Sequence, residues 1–192
     1  NHLDWRDEKS WLEEPFAYTL INNNEIIAML SCSPETTKAT WIRYFVCERN
    51  AHYPSCFTDL LNIALRDLKQ AGILNLFALG MPEWFSRLLV NNGFRVHSQI
   101  ITLKLLAAKH KALPAPVTQA DSPYTFRRMT EKDLSAAYNT DTRAFSSEWQ
   151  LGALNLKSCF MGSEDSYVAE YNQEVIAYLI SERFFTNQHI SR

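Results

Sequence analysis

Long apolar runs are missing from this chain: none of its 192 residues sits in a stretch of about 18 apolar residues, the length a helix needs to cross a bilayer, so no membrane span and no membrane partner are expected. Charge of one sign is missing too. Nineteen Lys and Arg face twenty-one Asp and Glu, a net of −2, and no block of like charge stands out. Bulk electrostatics therefore gives no reason to expect a nucleic-acid partner. The four cysteines (Cys32, Cys47, Cys56, Cys159) form no Cys-x-x-Cys pair, and the five histidines show neither HxH nor HxxxH spacing. No metal site is expected, and the thiols read as reduced and mostly buried rather than bridged. There is no signal-peptide pattern, and the expected setting is cytoplasmic. The opening Asn-His-Leu-Asp-Trp has no initiator Met and the closing His-Ile-Ser-Arg reads as strand, so both ends are expected to be cuts in a longer protein.

Apolar residues make up 46% of the chain, enough for a packed core. Residues 16–21 and 26–32 are β-rich and flank Asn22, Asn23, Asn24 and Glu25, a turn whose asparagines tolerate positive φ, so a hairpin is expected. A third strand follows over 39–47, with Trp41, Tyr44, Phe45 and Val46 as β formers. Pro54 suits the first turn of a helix, Phe57, Leu60, Leu61, Ala64, Leu65 and Leu68 repeat at helical spacing, and Gly72 suits its end. Residues 73–79, bounded by glycines, read as a short buried strand. Pro82 opens a second helix that Asn92 and Gly93 close, and 94–106 alternates enough for one or two more strands.

Residues 107–123, rich in Ala, Lys and Pro, read as a linker. The pattern then restarts: a strand over 124–128, a capping-box-like helix start from Thr130 to Asp133, a helix over 149–160 and a hairpin over 166–181. The segment 167–177 (YVAEYNQEVIA) echoes 16–28 (FAYTLINNNEIIA) about 150 residues away, roughly one domain length.

Residues 126–134 (FRRMTEKDL) resemble the first strand and helix of the GNAT superfamily of acyl-CoA-dependent N-acyltransferases, and Asp141, Phe145 and Trp149 fit the segment that follows. Residues 16–106 resemble the later part of such a domain, through the order of elements and the Asn92–Phe94 step. The chain thus resembles two tandem GNAT-like domains, 1–106 lacking its first elements and 124–192 lacking its last, joined by 107–123. The implied fold is α+β, a mixed and mostly antiparallel sheet flanked by helices. Strands of the two copies are expected to complete one mixed sheet.

The resemblance implies transfer of an acyl group from acetyl-CoA to a small-molecule or peptide amine. In such enzymes the pyrophosphate rests on backbone N–H groups where a strand hands over to the long helix, at a loop of the form (Arg/Gln)-x-x-Gly-x-(Gly/Ala). The cofactor-binding positions then fall on the strand end, Phe45, Val46 and Cys47, and on His52, Ser55, Cys56 and Phe57. The match departs from the family there. His52 replaces Arg or Gln, Ser55 and Phe57 replace the small residues, Pro54 carries no N–H, and the family's tyrosine acid falls at Leu89. Glu48 is the candidate general base and Tyr53 a candidate hydroxyl, and Cys56 at a helix start lacks a partner that would make it a nucleophile. Two functions stay open: an N-acetyltransferase, or a non-catalytic GNAT-like module for binding or dimerisation. Exposed sheet edges favour a homodimer.

Overall fold

A computed structural model describes residue 9 and residues 12–36, 39–101, 122–184 and 187–190 of the chain, with side chains through residue 181 and at residue 190. The expected linker at 107–123 lies almost wholly outside the described residues, as does the start of the chain. The architecture is α+β, with antiparallel-rich sheets flanked by helices. The first half holds strands β1 (Phe16–Asn22), β2 (Glu25–Pro34) and β3 (Thr40–Cys47), helix α1 (Tyr53–Gln70), strand β4 (Leu76–Ala78) and helix α2 (Glu83–Asn91). The second holds β5 (Thr125–Arg128), a 3-10 turn (Glu131–Asp133), α3 (Leu134–Ala144), α4 (Ala153–Gly162), β6 (Asp165–Tyr171), β7 (Glu174–Phe184) and β8 (Asn187–Ile190).

Among the described residues the strands form two four-stranded sheets, ordered β1-β2-β3-β4 and β5-β6-β7-β8, and only β3 and β4 run parallel. The expectation of one sheet shared by both copies is therefore corrected. Tight hairpin turns bring each strand first to its own neighbour, and the halves meet through side chains instead.

Local chemistry explains the elements. Asn23 and Asn24 hold φ of 49° and 67°, Asn172 and Gln173 hold 50° and 67°, and such paired positive values are what a two-residue hairpin turn of the right twist requires. The two hairpins match residue for residue at an offset of 149, which carries Asn22 onto Tyr171, Glu25 onto Glu174 and Ala28 onto Ala177. Even the register shift recurs, between Leu20 and Ile21 and between Ala169 and Glu170. Helix α1 turns Cys56, Phe57, Leu60, Leu61, Ala64 and Leu68 inward and stops where Gly72, at φ 76°, lets its N–H reach the Lys69 carbonyl. Before α3, the Thr130 N–H donates to the Asp133 carboxylate at 2.8 Å. The Arg127 guanidinium, with that capping contact, holds the Asp133 carboxyl well below the usual carboxylate range.

Two further expectations change. Residues 94–101 are not a strand, and 102–106 lie outside the described residues. Val96 and Ile101 of that segment are exposed, and an alternating pattern without a covered face and a paired edge does not make a strand. The strand expected over 73–79 shortens to Leu76–Ala78 and is half-buried. Each half has its own core. In the first, α1 and α2 pack on Ala28, Leu30, Cys32 and Ile42. In the second, Ala137, Leu156 and Cys159 pack on Val168 and Ile180. Among the described residues no helix is long and apolar enough to cross a membrane.

Candidate functional site

Strand β3 pairs with β4 only from Thr40 to Ile42, opposite Leu76 to Ala78. It then continues to Cys47 without that neighbour, so the two parallel strands part where β3 approaches α1. Alternation along β3 sends Phe45 and Cys47 toward α1, where both pack on the core, and Val46 to the other, exposed face. The connection is short. The Glu48 N–H is tied to the Ile27 carbonyl at 2.8 Å and the Ala51 N–H to the Glu48 carbonyl at 3.1 Å, leaving the Glu48 side chain exposed.

At the start of α1, His52 Nδ1 lies 2.8 Å from the Ser55 hydroxyl. The Ser55 and Cys56 amides both donate to the His52 carbonyl, at 3.1 and 3.2 Å, and Pro54 has no amide hydrogen. An anion arriving here meets few main-chain donors that are not already engaged. Phe57, 0% exposed, fills the space behind. Its ring sits edge-on to Phe45 at 4.9 Å and to Phe85 of α2 at 5.9 Å. Cys56 and Leu89 are buried in the same cluster. Burial, followed by the hydrogen bond with Cys56, pushes the Cys47 thiol up to about 11, far from thiolate reactivity. All four cysteines are free thiols, three of them buried.

The candidate residues thus divide. Phe45, Cys47, Cys56 and Phe57 belong to the apolar packing, whereas Val46, Glu48, His52, Tyr53 and Ser55 face solvent. Tyr53 and Ser55 line an open groove of about 570 Å³ between the start of α1 and the outer side of α2. There Tyr53 meets Trp84 edge-on at 5.7 Å, and Thr58 donates to Asn92 Oδ1 at 2.9 Å. Glu48 lies outside the lining of this groove. Its carboxylate can accept a proton and the Tyr53 hydroxyl can donate one, but the structure does not place them on one cleft wall.

A larger groove of about 710 Å³ runs along β4 between residues 76–81 and 94–101. The second half closes it with Glu148 and Trp149. His97 Nε2 lies 3.2 Å from Glu148 Oε1, and Trp41 lies 4.9 Å from Trp149, ring to ring. Sequence reasoning missed this cluster. His97 and Glu148 are 51 positions apart, and no local spacing announces the pair. Among the described residues no three metal-ligating side chains gather.

No protein-family model matches the chain, and no curated protein matches it. Among solved structures it is similar to the aminoglycoside antibiotic 6'-N-acetyltransferase AAC(6')-IG from Acinetobacter haemolyticus, with 16% identity and a TM-score of 0.41 over 51% of this chain and 76% of that one. It is also similar to a point mutant of TTHA1254 from Thermus thermophilus, with 14% identity and a TM-score of 0.40 over the same shares of the two chains.

Proposed function

We propose that the protein is an acyl-CoA-dependent N-acyltransferase of the GNAT kind, moving an acetyl group from acetyl-CoA to a small-molecule or peptide amine. One observation carries this reading: β3 parts from its parallel neighbour after Ile42 and passes through a short loop into the long helix α1. The exposed Glu48 carboxylate beside that loop supports the role of general base, and the exposed Tyr53 hydroxyl that of proton donor. In the reaction the amine nitrogen bonds to the thioester carbonyl carbon as the C–S bond breaks. The amine loses one proton to the base, and the departing thiolate gains one.

The full chain, incubated with acetyl-CoA and either an alkyl diamine or a lysine peptide, is expected to release free CoA thiol in step with acetylated amine. Glu48→Gln and Tyr53→Phe are each expected to slow that release about tenfold or more. Absence of both thiol release and saturable acetyl-CoA binding by calorimetry would sink the enzyme reading.

A second reading, a non-catalytic binding or dimerising module, draws on a different observation. Phe57 is sealed between Phe45 and Phe85 at the position where a cofactor loop needs a small residue. Calorimetry without acetyl-CoA binding, alongside an intact fold, would favour it.

A further inference from the structure

Helical spacing decides what lines the groove of about 570 Å³ between the start of α1 and the outer side of α2. Trp84, Arg87, Leu88 and Asn91 recur at helical steps along α2 and so share one face of it. Ser55 and Asp59, four residues apart, do the same on α1. The polar groups there divide by what already holds them. Thr58 donates to Asn92 Oδ1, and the Asn92 amide nitrogen donates to the Leu88 carbonyl at 2.9 Å. Ser55 is joined to His52, and Arg87 pairs with Glu83 four residues back on its own helix. Among the described residues no hydrogen bond or ion pair engages the Asp59 carboxylate, the Asn91 carboxamide or the Tyr53 hydroxyl.

We infer that this groove binds a small organic primary amine in its charged, ammonium form. An ammonium carries three N–H donors and no acceptor. The groove offers three unengaged groups that can accept: the Asp59 carboxylate, the Asn91 carboxamide oxygen and the Tyr53 hydroxyl. Tyr53 and Trp84 add ring faces. They meet at 81° to form a corner and are 43% and 48% exposed, so ring surface stays open to a cation or to the apolar body of the amine. Charge selects the same sign. Asp59 carries the unpaired charge of the groove, whereas the Arg87 charge is met by Glu83. The Ser55 and Cys56 amides, which would suit an anion, both donate to the His52 carbonyl. An ammonium nitrogen has no lone pair with which to attack a thioester. The groove therefore holds a ligand rather than the reacting amine, and its occupancy does not rest on acyl transfer.

The probe is phenethylammonium chloride, titrated by NMR into the isotope-labelled full chain without acetyl-CoA. The Trp84 indole N–H and the amides of residues 53–59 and 84–92 are expected to shift and saturate, with a Kd of about 1 mM. Phenethyl alcohol, of the same size without the charge, is expected to leave these signals in place. Asp59→Asn and Trp84→Leu are each expected to weaken binding about threefold or more. Glu174→Gln, exposed in the hairpin of the second half, is expected to leave it unchanged. Circular dichroism establishes that each variant is folded, and Asp59→Asn, an exposed change of equal size, decides the matter if Trp84→Leu does not fold. No saturable shift by about 20 mM, equal shifts with the alcohol, or full affinity in Asp59→Asn overturns the inference. So does displacement of the amine by acetyl-CoA added afterwards, which would assign the groove to an anionic ligand.

Discussion

The Trp41 indole nitrogen donates a 2.9 Å hydrogen bond to the backbone carbonyl of Glu148, joining residues 107 positions apart in the two halves of the chain. The contact has company. Trp149 stacks obliquely on Trp41, and Asn155 donates to the buried Glu35 carboxylate, which also pairs with Arg43. Gly152 passes so close to the Glu35 carbonyl that an added Cβ would come within 2.5 Å of its oxygen. Indole bonding, ring contact and close backbone approach fasten the second half to the β2–β3 end of the first.

Trp41→Phe keeps an aromatic ring but removes the donor. A buried hydrogen bond lost with its acceptor left behind costs about 1–3 kcal/mol. The urea midpoint should fall with the slope unchanged. Amide exchange should quicken over residues 148–162 more than in α1, because the loss loosens the junction before either core.

Phe57→Ala tests whether the start of α1 is packed core. The ring is fully buried between Phe45 and Phe85, so its removal leaves a cavity and should cost about 3–5 kcal/mol. Phe57→Leu should cost much less, since most of the volume stays. Equilibrium denaturation measures both, and a loss below about 1 kcal/mol for Phe57→Ala would mean that the ring is not packed.

Glu148 sets a pH dependence. Its own backbone N–H, the Ser146 hydroxyl and His97 together hold its carboxyl down at about 2. The folded state therefore binds this proton less readily than the unfolded chain, whose glutamates titrate at about 4.3. The stabilisation is present in full above that value and is lost as pH falls through the folded one. Wild type should exceed Glu148→Gln in urea midpoint at pH 7, and the two should converge between about pH 4 and pH 2. A gap that stays constant across that range would show that the carboxylate charge contributes nothing.

Much of each half was legible locally. The period of Phe57, Leu60, Leu61, Ala64 and Leu68, with Gly72 after it, located α1, because burial of one stripe and a positive-φ stop are written in neighbouring residues. The Asn23–Asn24 turn and its echo located the hairpins for the same reason. Residues 94–101 misled because alternation describes a side-chain pattern, whereas a strand also needs a partner edge. The Trp41–Glu148 and Glu35–Asn155 contacts left no trace in the sequence, since nothing at either position depends on its near neighbours. The departures at Ser55 and Phe57 could be read only against the pattern of a family that the sequence resembles. Their consequence, a ring sealed by Phe85 from a later helix, needed the third dimension.

The repeated hairpin yields a prediction about its turns. Asn24 and Gln173 occupy the same place, each at φ 67°. A left-handed conformation costs an ordinary L-residue roughly 1–2 kcal/mol, less for Asn, whose short side chain can bond locally, and nothing for Gly. Gln173→Gly should therefore stabilise the chain, by about 0.5–1 kcal/mol once the extra freedom of unfolded Gly is deducted. Gln173→Ala should change little, because it keeps the Cβ that causes the strain. Asn24→Gly should gain less than Gln173→Gly, and Asn24→Ala should lose stability, because there the turn already has a tolerant residue. Thermal midpoints of the four variants would settle the order. A Gln173→Gly protein less stable than wild type would mean that the Gln173 side chain makes contacts worth more than the strain of its backbone.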